Sequence, residues 1–330
     1  MNPLLADSLT VLSSHYEDAD IEEIAINRVG EIWLKPTGRD WTARTDTRLN
    51  EAYLLKLCRQ LANVSGQNFH PLHHPILYTS LPQGHRFTAV VGSTVRYAMG
   101  DSRGIAVTLR LFDPARRIGF GRYGLTPNAS LPGQPMRHGR QRYHESPLED
   151  LLAALDHREA ILISGATATG KTSFLNALVR HLPADCRILT VEDTREVILP
   201  QVNRVHLVVS RRETSVGVDF MAVVDAAVRL TPDVIICGEI GITNTAAVFR
   251  LMTTGHTNFM ATIHAHSPEA ALRAFYQNLA QANPGIDADA AIEIIGASFG
   301  RIVQIDRQGG RRMVTAIDIP SLTEQAVRRG

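Results

Sequence analysis

The stretch Ala160-Ile161-Leu162-Ile163-Ser164 is apolar almost throughout and runs directly into Gly165-Ala166-Thr167-Ala168-Thr169-Gly170-Lys171-Thr172-Ser173. A short continuous apolar run reads as a strand buried on both faces, which needs a parallel sheet covered by helices above and below. The segment after it fits the pattern G-x-x-x-x-G-K-[ST], and "SFLNALVRHL" continues as a helix. Glycines allow backbone N–H groups to converge on phosphate oxygens, and the following helix adds the positive end of its dipole. In such a loop Lys171 reaches the β- and γ-phosphates, and the Thr172 hydroxyl faces Mg²⁺. An ordinary strand-to-helix turn has no need of that combination.

Three further apolar runs, "RILTV" (187–191), "DVIIC" (233–237) and "FMATI" (259–263), each lead into polar residues. Apolar strands divided by helices predict an α/β domain whose sheet is mostly parallel. Ligands in such sheets gather at the carboxyl ends of the strands. Glu239, just beyond "DVIIC", suits the Mg²⁺ shell or the polarisation of water. Glu192, at the end of "LTVE", is chosen to orient the attacking water, a task for a carboxylate, with Asp193 as helper or structural residue. His264 follows "FMATI", and His266 stands two residues on. H-x-H can form a metal pair, but the sequence offers no third ligand nearby beyond His256; contact of His264 with the γ-phosphate suits it better. Ser146-Pro147-Leu148-Glu149 fits a capping box that opens a helix, and a hairpin is expected at Gly309-Gly310.

The N-terminal part alternates helix-like and strand-like stretches. "NEAYLLKLCRQLANV" places Ala52, Leu55, Cys58 and Leu61 near helical spacing. "IEEIAINRVGEIWLKPTG" reads as two strands about Gly30, and "HRFTAVVG" and "GIAVTLRLF" as two more. From Asp113 to His144 the pattern dissolves into Pro, Gly and Arg, with six arginines (116, 117, 122, 137, 140, 142) against the single acid Asp113. That composition predicts a solvated linker over 113–145, with contact to nucleic acid or lipid headgroups as the alternative, between an α+β domain at 1–112 and the P-loop domain at 146–330. The cluster His70, His73 and His74 is read as surface or packing.

Whole-chain composition excludes several classes. The 330 residues suffice for two domains with separate cores. A formal charge of +1 argues against a chain-wide polyanion binder, and only Lys35, Lys56 and Lys171 among 34 basic residues are lysine. Cys58, Cys186 and Cys237 stand far apart, as buried thiols in a reducing compartment do. No apolar run approaches the roughly 18 to 20 residues that span a bilayer, and the first residues lack a secretion-signal pattern, so a cytoplasmic protein with at most peripheral membrane contact is expected.

The P-loop, "TVEDTRE", "RLTPDVIICGE" and "TTGHTNFMATIHAHS", in that order and spacing, resemble the traffic ATPases of bacterial secretion. Their boxes match Walker A at 165–172, the Asp box around 192–193, Walker B around 233–239 and the His box around 255–267. The likeness extends through "LPQGHRF" and "VTLRLF" of the first domain and is greatest to the type IV secretion and conjugation branch. It implies a RecA-like ATPase domain, ATP and Mg²⁺, a nucleotide-clamping first domain, a homohexameric ring and inner-membrane secretion or pilus proteins as partners. It also implies that Arg86 and Arg110 contact nucleotide phosphates, in their own subunit or a neighbour. Gly241 replaces an arginine common in relatives, Thr231 stands where arginine is frequent, and His266 where Asn is frequent. A pilus assembly or retraction motor, a DNA-handling RecA-like ATPase and a nucleotide-gated scaffold are the competing readings.

Overall fold

The structure, a computed structural model, describes residues 3–17, 20–37, 39–93, 95, 104–113, 118–127, 142–209, 220–254 and 258–318. They fall into two compact units, one reaching Asp113 and the other starting at Ile118. Arg116, Arg117, Arg137, Arg140 and His256 lie outside the described residues.

The first unit comprises α1 (Pro3–Ser13), β1 (Ile21–Ile26), β2 (Glu31–Pro36), β3 (Thr42–Thr45), α2 (Glu51–Val64), β4 (Ile76–Ser80), β5 (Arg86–Gly92) and β6 (Gly104–Arg110). Its strands form an antiparallel sheet in the order β3-β2-β1-β6-β5-β4. Gly30, at φ +77°, makes the turn between β1 and β2. Helix α2 starts at Asn50, whose side chain accepts the Tyr53 N–H. Its buried face is Leu54, Leu57, Cys58 and Leu61, whereas Ala52 is exposed and Leu55 half-buried. The helix therefore turns toward the stripe carrying the larger apolar area, a small rotation from the face expected.

The second unit runs through α3 (Pro147–Asp156), β7 (Ala160–Gly165), α4 (Lys171–Val179), β8 (Ile188–Glu192), β9 (Arg204–Val208), α5 (Phe220–Arg229) and β10 (Val234–Ile240). It continues through α6 (Thr245–Thr253), β11 (Phe259–Ile263), α7 (Pro268–Ala282), α8 (Ala288–Ser298), β12 (Phe299–Gln308) and β13 (Arg311–Asp318). The sheet order is β13-β12-β7-β11-β10-β8-β9, parallel from β12 to β9 with β13 antiparallel at one edge. Every residue of β7, β8 and β11 is buried. One face packs against α3 and α4, through Leu151, Phe174 and Leu178, and the other against α5 to α8, through Val224, Leu251, Phe275 and Ile295. This is the α/β fold expected. Ser146 caps α3, with Pro147 in its first turn, and Gly309 (φ +56°) and Gly310 (φ +79°) form the β12–β13 turn. No described helix is long and apolar enough to cross a membrane.

Part of the segment read as a linker proves to be core. Ile118, Phe120, Tyr123 and Leu125 are buried among Phe174, Leu178 and Val314 of the second unit. Their apolar spacing is hidden in the sequence by the surrounding arginines, glycines and prolines.

A buried ion cluster ties α3 to β12. Arg301, fully buried, donates to Asp150 through Nε (2.9 Å) and Nη2 (3.0 Å), and to Glu159 through Nη1 (2.8 Å). Burial pushes the Asp150 carboxyl up, but Arg301 and the N–H groups of Tyr143 and His144 outweigh that and hold it below its ordinary value. A carboxyl lowered on folding stabilises above the unfolded-state value and loses that contribution as pH falls toward the folded one. Arg301→Ala strands the buried Asp150 carboxylate, removes a partner of the half-buried Glu159, and is expected to cost about 3–5 kcal/mol, measured as a lower urea midpoint by circular dichroism. The deficit shrinks as pH falls, because Asp150 without its arginine takes up a proton at a higher pH than in the native protein.

Candidate functional site

Strand β7 delivers the chain to Gly165, where only glycine fits. An added Cβ there would lie 2.5 Å from the Ile305 carbonyl oxygen and 2.6 Å from Thr169 Oγ1. The loop then turns through Ala168 (φ +62°) and Gly170 (φ +94°), both left-handed, before α4 begins at Lys171. The Gly170 carbonyl accepts the buried Tyr123 hydroxyl at 3.0 Å. The place of a Cβ on Gly170 lies 3.0 Å from Arg312 Cδ, so an arginine of β13 flanks the loop. Arg312 is brought there by the pairing of β13 with β12.

Lys171 is largely buried, and its Nζ donates to the carbonyls of Gly165 (3.0 Å) and Ala166 (3.2 Å). The same ammonium lies 3.0 Å from His264 Nδ1. An ammonium can only donate, so Nδ1 is the acceptor and the imidazole carries its proton on Nε2. Nε2 in turn meets Glu239 Oε1 in a short contact. Lysine, histidine and glutamate thus form one continuous chain of alternating donors and acceptors.

Strand order explains how residues so distant in sequence meet. Ser164 of β7 pairs with Ile263 of β11, and Ile263 with Ile240 of β10. On the far side of β10, Cys237 pairs with Val191 of β8. The carboxyl ends of four parallel strands therefore stand side by side, carrying Gly165, His264, Glu239 and Glu192. Between Cys237 and Ile240 the β10–β11 register slips, and such a bulge re-aims a side chain. The Thr262 hydroxyl holds the Gly238 carbonyl (2.6 Å) and Asn244 Nδ2 the Glu239 carbonyl (2.7 Å), which fixes the bulge. Cys237, beneath it, has its thiol pushed up to about 12 by burial, so it is neither nucleophile nor ligand.

Glu192 is buried, and its Oε1 accepts the N–H groups of Glu196 (2.9 Å) and Val197 (2.8 Å). Asp193 is half-exposed. Sequence reasoning passed over Glu196, the last acid of "TVEDTRE": its Oε2 accepts the Thr172 hydroxyl at 3.3 Å. The signal available was a third carboxylate in a run already assigned to the phosphate site.

In the first unit Arg86 and Arg110 face each other in the β5–β6 register. Beside the His264 end of the second unit's sheet, a cleft of about 410 Å³ is lined by His266, Ser267, Glu269, Arg273 and Gln277. Ser267 caps α7 there through the Ala270 N–H. Gly241 has open space where a Cβ would stand, and Thr231 is left-handed at φ +52°.

The sequence profile of the type II/IV secretion system protein family matches residues 7–295. The type IV secretion system protein PtlH of Bordetella pertussis is 30% identical over 267 residues, covering 77% of this chain and 75% of its own. Protein VirB11 of Agrobacterium tumefaciens is 28% identical over 283 residues, covering 81% and 79%. The solved structure of the Legionella pneumophila ATPase DotB superposes with a TM-score of 0.59 at 18% identity, covering 99% of this chain and 83% of that one, which shows a shared fold.

Gly165→Ala is expected to displace the Ile305 carbonyl or Thr169, lowering stability by about 1–3 kcal/mol and weakening nucleotide binding. Gly241→Ala, into open space, should change stability by no more than about 0.5 kcal/mol. Thermal unfolding of both variants and titration with a fluorescent nucleotide check the contrast.

Proposed function

The chain belongs to the type II/IV secretion system protein family, and on that premise we propose that it is the ATP-hydrolysing motor of a type IV secretion or conjugation apparatus. It works as a ring of six copies on the cytoplasmic face of the inner membrane, alongside the proteins of that apparatus. The observation that carries this reading is the Lys171–His264–Glu239 chain, which unites three of the boxes at one end of one sheet.

In this reading the backbone of Gly165 to Ser173 wraps the phosphates, and Lys171 exchanges its carbonyl partners for phosphate oxygens, so that both donor and acceptor are charged. His264 contacts the terminal phosphoryl group, and Glu239 orients the attacking water. The hydroxyl of Thr172 and the carboxylate of Glu239, partly through water, suit Mg²⁺, because both are hard oxygen donors. That ion neutralises charge on the β- and γ-phosphates when bound. Arg86 and Arg110 supply the remaining positive charge, from the same copy or a neighbouring one.

Purified protein is expected to hydrolyse ATP, with Lys171→Ala reducing turnover to background and Glu239→Gln lowering it by about 10²–10⁴-fold. A native rate equal to that of Lys171→Ala makes the protein a nucleotide-gated scaffold instead. In cells lacking the chain, transfer of the secreted or conjugated substrate should return with the native protein and not with Lys171→Ala. Turnover stimulated by DNA and falling steeply with salt points instead to a nucleic-acid motor.

A further inference from the structure

A carboxylate that orients an attacking water needs an oxygen at the reacting group. Glu192, only 2% exposed, spends Oε1 on two backbone N–H groups, those of Glu196 and Val197. Its Oε2 accepts no hydrogen bond among the described residues and lies 3.8 Å from His206 Nδ1, which is itself 3.0 Å from Thr190 Oγ1. These contacts tie Glu192 to the backbone that follows β8.

That backbone is held a second time from α4. Asn176 donates through Nδ2 to the Glu196 carbonyl (3.1 Å) and accepts the Ile198 N–H through Oδ1 (2.9 Å). Asn176 stands four residues after Thr172, so both project from one face of α4. Residues 196–198 are thus clamped between the end of β8 and the helix that begins at the P-loop lysine. The result is the Glu196 carboxylate seated on the Thr172 hydroxyl at 3.3 Å.

We propose that Glu192 is a positioning residue that acts through Glu196, anchoring the 196–198 backbone so that the Glu196 carboxylate shares with Thr172 the shell of the nucleotide's Mg²⁺. The proposal rests on the nucleotide reading above and reassigns Glu192 from the water to the loop. A hydroxyl and a carboxylate are the oxygen donors Mg²⁺ prefers, and this pair is already in contact. An ionised Glu192 holds two N–H groups more firmly than a neutral acceptor, which explains a buried acid at the end of a strand.

The test uses the full chain and a fluorescent non-hydrolysable ATP analogue, titrated with Mg²⁺ and with EDTA, alongside ATP turnover. The native protein should bind the analogue more tightly with Mg²⁺. Glu196→Gln, at a half-exposed side chain, should fold normally and lose about 10- to 100-fold of the Mg²⁺-dependent gain. Asn176→Ala should lose part of it. Glu192→Gln keeps an amide oxygen for both N–H groups and should hold Mg²⁺-dependent binding within about tenfold of native, whereas Glu192→Ala should fall with Glu196→Gln. If Glu192→Ala fails to fold, Glu196→Gln and Asn176→Ala decide the matter. Native-like Mg²⁺-dependent binding by Glu196→Gln overturns the proposal. So does a loss of about 10²–10⁴-fold in turnover for Glu192→Gln with metal-assisted binding intact, since that is the signature of a direct base. A native chain that binds no analogue under either condition overturns the nucleotide reading itself, and this inference with it.

Discussion

The second unit depends above all on the parallel pairing of β7 with β11, β11 with β10, and β10 with β8. Parallel strands end on the same side, and neighbours lie about 4.8 Å apart. Gly165, Glu192, Glu239 and His264, far apart in the sequence, are thereby placed along one edge, each spaced by the width of a strand. Strands so deeply buried are costly to re-register, because a slip of one residue turns every side chain to the opposite face. The placement of these four residues is thus inherited from the apolar packing beneath them.

Along that edge the chain of Lys171, His264 and Glu239 joins a cation to an anion through a neutral ring. The ring's two nitrogens have different tasks, one accepting and one donating, so moving its proton would break both bonds together. Histidine suits this position because it accepts on one side of a ring and donates on the other; a carboxylate only accepts, and a hydroxyl does both from a single atom. The β10 bulge completes the geometry by turning Glu239 away from regular register.

Much of this was legible in the residues. The buried strand and glycine loop at 160–172 announced themselves through composition and spacing, as did the Ser146 cap and the Gly309-Gly310 turn, because each depends on local chemistry. Strand β9, half-exposed at the sheet edge, lacked the apolar run that marked its neighbours. Glu196, Asn176 and Arg312 were not legible, since their partners lie 24, 20 and more than 100 residues away and only the folded topology supplies them. Ile118, Phe120 and Tyr123 escaped for a different reason: they sit in an arginine-, glycine- and proline-rich stretch whose overall composition resembles a spacer. Composition averaged over some thirty residues concealed these three.

The hydroxyl of Tyr123 holds the carbonyl of Gly170, and its ring packs edge-on against Phe174 one turn into α4. The first described segment of the second unit is therefore moored to the glycine loop that opens α4. Tension applied to the second unit at Ile118 would be borne first by that aromatic pair, whose tyrosine is bonded to the residue just before Lys171.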